Sequence, residues 1–191
     1  MQVLGIMASP RRGSNTEMLL DRVLAGAAAS GAKVETVVAV DLDISPCLEI
    51  YACEAAGECA IADDMQAIYH QIEAADVVVL ASPIFFYGLT AQAKAIVDRC
   101  QAMWFRTHRL GRPVGHGRRR RGALVCVGAT RGRRLFDGAT LTARYFFDAI
   151  GADYTADLLV RGIDEKGAIA SRPDVLGQAF ELGRRLAAEA E

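Results

Sequence analysis

Several residue types are scarce in this chain. Among its 191 residues are one tryptophan, five prolines and a single asparagine, Asn15. Lysine is nearly missing: 3 lysines stand against 19 arginines, a compositional bias to which no function is attached. With so little proline and only 18 glycines, collagen-like and low-complexity classes are excluded. No stretch reaches the roughly 18 uncharged apolar residues that a membrane helix needs. The opening MQVLGIMASP lacks a basic leader, and its apolar run is too short for a signal core. Neither sign of charge dominates, since 22 basic and 23 acidic residues leave a net charge of −1. That balance argues against a nucleic-acid partner and against the acidic surface of a carrier that docks on basic proteins. The expectation is a cytoplasmic protein with no membrane and no nucleic-acid partner. In such a compartment the five cysteines (Cys47, Cys53, Cys59, Cys100, Cys126) read as thiols, metal ligands or redox groups, not as structural disulfides.

What is present is an ordinary globular composition, with 52% hydrophobic and 24% charged residues. At roughly 100–200 residues per domain, residues 1–191 make one domain. Short apolar runs alternate with stretches of helical spacing. Val3–Met7, Val34–Val40, Asp76–Ala81, Ala123–Gly128 and Tyr154–Val160 read as strands. Ser14–Ser30, Asp64–Ala74, Thr90–Met103, Gly138–Ile150 and Pro173–Glu189 read as helices. Near-continuous apolar strands alternating with helices predict an α/β fold: a doubly wound, five-stranded parallel sheet with helices on both faces. The expected order is the flavodoxin-like 2-1-3-4-5, with a ligand at the carboxyl ends of strands one and three. The loops after Met7, Ala81 and Gly128 should converge there. Residues 41–63 interrupt the alternation as a long irregular insertion carrying three cysteines.

The first loop reads Ser9-Pro10-Arg11-Arg12-Gly13-Ser14-Asn15-Thr16-Glu17. It joins a strand to a helix N-terminus, where free N–H groups and the helix dipole favour an anion. Ser9, Ser14, Asn15 and Thr16 add short polar side chains, and Arg11 and Arg12 add charge. The spacing is neither a Walker loop nor GxGxxG. Ser14 and Glu17 also fit a capping box, which is compatible with a phosphate site. The second loop, Ser82-Pro83-Ile84-Phe85-Phe86-Tyr87-Gly88-Leu89-Thr90, carries three consecutive aromatics. Adjacent side chains cannot all face the core, so some are exposed at the predicted crevice, as for a flat heteroaromatic ring or an oligomer contact. Gly88 lets the backbone approach a ligand closely.

Together, SPRRGSNT and SPIFFYGLTAQAKAIVDR resemble the NAD(P)H-dependent FMN reductases of the flavodoxin-like superfamily, over at least residues 1–128. The resemblance implies bound FMN, with Ser9, Arg11, Ser14, Asn15 and Thr16 at its phosphate and Pro83, Ile84, Phe85, Phe86, Tyr87 and Gly88 flanking its ring. The loop Gly128-Ala129-Thr130-Arg131-Gly132 supplies a third contact, centred on Thr130. It also implies hydride transfer from NAD(P)H through flavin N5 to a flavin, quinone or other small-molecule electron acceptor. Tyr87 is then the candidate catalytic residue, as hydrogen-bond donor to the ring or product. Family members are dimers or tetramers, so a homodimer or homotetramer is expected.

The insertion is similar to the compact segment of iron–sulfur flavoproteins, a branch of that family with the pattern Cys-x2-Cys-x2-Cys-x5-Cys before an Asp-Asp-Met helix start. Cys47, Cys53 and Cys59 match three positions, and the fourth is Ile50. A cluster normally takes four thiolates, and isoleucine offers no lone pair. The leading expectation is a loop without metal. A cluster completed by another ligand (Glu49 or Cys100) and a redox-active pair such as Cys53–Cys59 are the alternatives. The basic run Arg118–Arg121 reads as a solvated loop, with attraction for an NADPH 2′-phosphate as its other reading.

Overall fold

Five runs become strands: β1 (Gln2–Met7), β2 (Lys33–Val38), β3 (Val77–Pro83), β4 (Arg121–Gly128) and β5 (Asp153–Arg161), the central three (β1, β3 and β4) buried on both faces and the outer two (β2 and β5) partly exposed. In this computed structural model, which describes residues 1–188 without the side chain of His116, all pairings are parallel and the order is β2-β1-β3-β4-β5. Seven helices are found among the described residues: α1 (Asn15–Ala29), α2 (Ala52–Ala56), α3 (Met65–Ala74), α4 (Ala91–Arg99), α5 (Gln101–His108), α6 (Asp137–Ala149) and α7 (Pro173–Ala188). The predicted end of the last helix, Glu189, lies outside the described residues. No helix among the described residues is long and apolar enough to cross a membrane.

The sheet separates two cores. Leu4, Ile6, Val78, Leu80, Leu124 and Cys126 face α3, α4 and α6. Val3, Met7, Val77, Val79, Ala123 and Val125 face α1 and α7. This alternation is the period-two pattern of a strand buried on both sides.

Three departures from the sequence reading have local causes. The second strand stops at Val38, and Ala39–Asp41 tighten into a 3-10 turn leading into the insertion. The helix expected over 90–103 runs on to His108 but is divided at Cys100, whose N–H is shared between the carbonyls of Ile96 and Val97. The basic run is solvated only in part, with Arg118 and Arg119 exposed and Arg120 and Arg121 buried, and it lies at the amino-terminal edge of the sheet, away from the converging loops. Arg118 pairs with Asp76 at 2.9 Å and Arg119 with Asp153 at 3.4 Å. Arg120 is buried, donates from Nε to Ala75 O at 2.8 Å, and also donates to the carbonyls of Ile72 and Ile150. One guanidinium thus closes the carboxyl ends of α3 and α6, where helix dipoles favour a cation. Burial, with help from the Arg118 charge, pulls its pKa down to about 10, so it stays protonated at neutral pH.

Candidate functional site

The first loop is built around the cap of α1. Ser14 Oγ accepts from Glu17 N at 3.2 Å, while the Glu17 carboxylate reaches Gly13 N at 2.5 Å. The capping box is therefore displaced by one residue, and among the described residues no acceptor is found for the backbone N–H groups of Asn15 and Thr16. These are the free donors that a helix start offers to an anion. Ser9 Oγ accepts from Arg11 N at 3.2 Å and shapes the turn. Arg12 pairs with Glu17 at 3.2 Å, while Arg11 is exposed. The Asn15 side chain is committed elsewhere: Nδ2 donates to Glu165 O at 2.8 Å and Oδ1 accepts from Ile169 N at 3.1 Å. Asn15 thus offers the site its backbone N–H, and its amide pins the segment after β5 against the loop.

That segment carries Lys166, which sequence reasoning missed. Gly13 has φ +64°, and a Cβ built there would meet Lys166 Nζ at 3.6 Å, so the ammonium sits beside the loop. Nothing in the local pattern signals a cation some 150 residues distant in sequence.

The aromatic loop is joined to the first through Thr90. Its Oγ1 donates to Ala8 O at 2.7 Å and accepts from Ala93 N at 3.2 Å as the cap of α4; its N–H donates to Ser82 Oγ. Ile84 is half-buried and donates from N to Val127 O at 2.9 Å, and half-buried Pro83 lies level with Val127. Phe85 and Gly88 exchange two backbone hydrogen bonds of 3.0 Å, closing a tight turn over Phe86 and Tyr87. Both central residues are left-handed, with φ +48° and +64°. Positive φ at both positions is the signature of a type I′ turn, whose usual occupants are Asn and Gly. For two bulky aromatics it is a strained conformation, of the kind that clusters at ligand sites.

Phe86 is completely exposed, and Phe85 and Tyr87 are about half exposed. Tyr87 leans against the third loop. A Cβ built at Gly132 would lie 2.8 Å from the Tyr87 hydroxyl, and one at Gly138 would lie 2.7 Å from its carbonyl oxygen. Glycine at both positions leaves room for this contact. Thr130 is exposed and its carbonyl accepts from Gly162 N at 3.2 Å, which ties the third loop to the end of β5. Arg161 lies over the Phe136 ring at 4.8 Å and donates to Gly132 O at 3.4 Å. Arg11, Arg131, Arg133, Arg161 and Lys166 bring cationic side chains to these loops, alongside the carboxylates of Glu17, Asp137, Asp164 and Glu165. Free helix-start donors, cations and an exposed aromatic shelf together match a phosphorylated heteroaromatic molecule.

The sequence profile of the NADPH-dependent FMN reductase family matches residues 1–151. The chain belongs to that family. An iron–sulfur flavoprotein of Methanocaldococcus jannaschii is 34% identical over 131 residues, covering 69% of this chain but 64% of that protein, less than two thirds of its length. Among solved structures, the FMN reductase fold seen here is similar to an NAD(P)H:quinone oxidoreductase from Methanothermobacter marburgensis (TM-score 0.72, 18% identity, covering 100% of this chain and 98% of that one). It is equally similar to an FMN-dependent NADH-azoreductase from Bacillus anthracis in complex with FMN (TM-score 0.72, 13% identity, covering 98% and 100%). On the expectation that a phosphate rests at this helix start, Lys166→Gln should weaken FMN binding by roughly tenfold at low salt. Riboflavin binding should be unchanged, because riboflavin lacks the phosphate. Fluorescence-quenching titrations with both ligands test this, and equal losses for the two would remove Lys166 from the phosphate site.

Another concavity lies apart from these loops. It has a volume of about 920 Å³ and runs between the cysteine insertion and α4, α5 and α6, lined by Ile50, Tyr51, Trp104 and Tyr145 with Cys47, Cys53 and Cys59. The three loops above form an open shelf at the carboxyl edge of the sheet, which is where this fold class binds ligands.

Proposed function

We propose that this chain holds FMN on that shelf and uses it to carry electrons from NAD(P)H to a quinone, a flavin or another small acceptor. The observation that carries the reading is the strained Phe86–Tyr87 turn, displayed beside a helix start with free backbone donors. When bound, FMN supplies hydride acceptance and release, and the protein supplies position and electrostatics. In this reading Asn15 and Thr16 N–H, Arg11 and Lys166 hold the phosphate. Phe85 and Phe86 present apolar faces to the ring. Tyr87 Oη is the one phenolic donor in the turn, and it is assigned a hydrogen bond to the ring or to reduced product. The chain functions as a homo-oligomer, a reading supported by the exposed apolar side chains Leu48, Ile50, Tyr51, Leu141 and Tyr145.

The test is an anaerobic absorbance spectrum of the purified chain, followed by NADPH in the same cuvette. Two flavin bands that bleach rapidly are expected. A second reading, an iron–sulfur flavoprotein or electron carrier fed by a ferredoxin-like partner, predicts flavin bands that NADPH leaves unchanged; the Methanocaldococcus relative is named an iron–sulfur flavoprotein. A colourless chain that takes up no added FMN would overturn both. Tyr87→Phe should lower turnover by about tenfold while shifting FMN affinity less than about threefold, as for loss of one hydrogen bond made during reaction. Unchanged turnover would end the assignment to Tyr87.

A further inference from the structure

We infer that the cysteine insertion is held in place by the buried Arg99–Asp63 pair, so that its fold does not depend on a metal cluster. The relatives' name implies an iron–sulfur cluster, and the donor set here falls one thiolate short of the usual set. Such a cluster normally takes four thiolates. Of the five cysteines, Cys100 and Cys126 are fully buried in the core beneath α4 and in β4, and burial pushes both thiols up and away from the thiolate form. Cys47, Cys53 and Cys59 remain, and Ile50 stands exposed between them. Among the described residues, no three His, Cys, Asp or Glu side chains converge as metal ligands.

Protein groups close the base of the loop instead. Arg99, at the end of α4, has a fully buried side chain. Its Nη1 donates to Asp63 Oδ2 at 2.6 Å and to Ser45 O at 2.9 Å; its Nη2 donates to Asp63 Oδ1 at 3.0 Å and to Ile61 O at 3.3 Å. One guanidinium therefore clamps both ends of the segment that contains Cys47, Cys53 and Cys59. The Asp63 carboxylate also accepts from Ser45 N at 3.0 Å and Met65 N at 3.1 Å. Burial works against that charge, but Arg99 and these N–H groups outweigh it and hold the carboxyl below its usual range. Asp43 and Asp64 add a second rung, with Asp43 N donating to Asp64 Oδ2 at 2.8 Å. Gln66 Nε2 holds Cys59 O at 3.1 Å and Ile61 O at 2.7 Å. The Nε of Arg99 is buried without an acceptor, and the Cys59 side chain lies beside the same guanidinium. Removing one partner of a buried pair leaves the other charge uncompensated, so the clamp fails when either member is lost.

The test uses the full chain after anaerobic incubation with ferrous iron and sulfide. Bound iron and sulfide are assayed, and hydrogen exchange is followed across residues 44–62. Serine at Cys47, Cys53 and Cys59 together should leave exchange there within about twofold of the parent. Arg99→Met should accelerate it at least about tenfold, and bound iron should stay far below one per chain. If Arg99→Met does not fold, Asp63→Asn, which keeps the size and part of the hydrogen bonding, decides the matter by the same readout. Uptake of a full complement of iron and sulfide would overturn the inference. So would a serine variant that opens the loop as far as Arg99→Met does, or clamp variants that leave exchange unchanged.

Discussion

Gly26→Ala should destabilise the chain by about 3 kcal/mol or more and lower its melting temperature by roughly 6–12 °C. Helices α1 and α7 pack on the same face of the sheet at very close range. A Cβ at Gly26 would land on the carbonyl oxygen of Phe180, and one at Gly183 on the carbonyl oxygen of Val23. Both obstacles are backbone, so no side-chain rotation relieves the overlap, and the helices must separate. Separation forfeits contacts among Val23, Ala27, Ala179 and Leu182, which are essentially inaccessible to solvent. It also moves the start of α1, where the free N–H groups of Asn15 and Thr16 sit. Gly177→Ala in α7 is the control, because a Cβ there meets nothing within 4 Å. That change should stabilise by about 0.5–1 kcal/mol through helix propensity alone. Thermal unfolding of the two variants beside the parent checks both signs. Equal melting temperatures for Gly26→Ala and the parent would mean that the helices are not held this closely.

The same contrast between pattern and packing explains what could be read from the sequence. The parallel sheet was legible because runs such as Val77–Ala81 are apolar at every position and alternate with helical stretches, as strands covered on both faces do. The two ligand loops were legible because they follow those strands and carry polar or aromatic residues that a buried turn would not. Other features had no local signal. Arg118–Arg121 read as solvated, because four adjacent arginines resemble a surface run; only the helix ends that surround Arg120 show why it is buried. Arg99 and Asp63 are separated by 36 residues, and neither position looks unusual alone. Thr90 read as the first residue of a helix, but its bond to Ala8 O exists only because β1 and β3 are neighbours. The Phe86–Tyr87 turn was hidden by its own residues, since aromatics argue against a type I′ turn.

That conflict between residue and conformation yields the most discriminating expectation. Phe86→Asn with Tyr87→Gly should stabilise the chain by about 1–2 kcal/mol and weaken FMN binding by roughly tenfold to a hundredfold. The stabilising part follows from φ +48° and +64°, which Asn and Gly adopt at little cost and aromatics do not. Phe86 contributes no packing that would be lost, since its side chain is entirely exposed; half-exposed Tyr87 forfeits the approach of its hydroxyl to Gly132. The binding loss follows from removing two rings from the shelf while the turn that carries them keeps its shape. Opposite signs in the two measurements are what a site with stored strain produces, because selection for the ligand offsets selection for the backbone. Urea unfolding of the ligand-free chain and an FMN titration, run on the same variant, separate the possibilities. Weaker binding without added stability would mean the turn is not strained. Added stability with full binding would mean the flavin ring rests on another surface, and the assignment of this loop would fall.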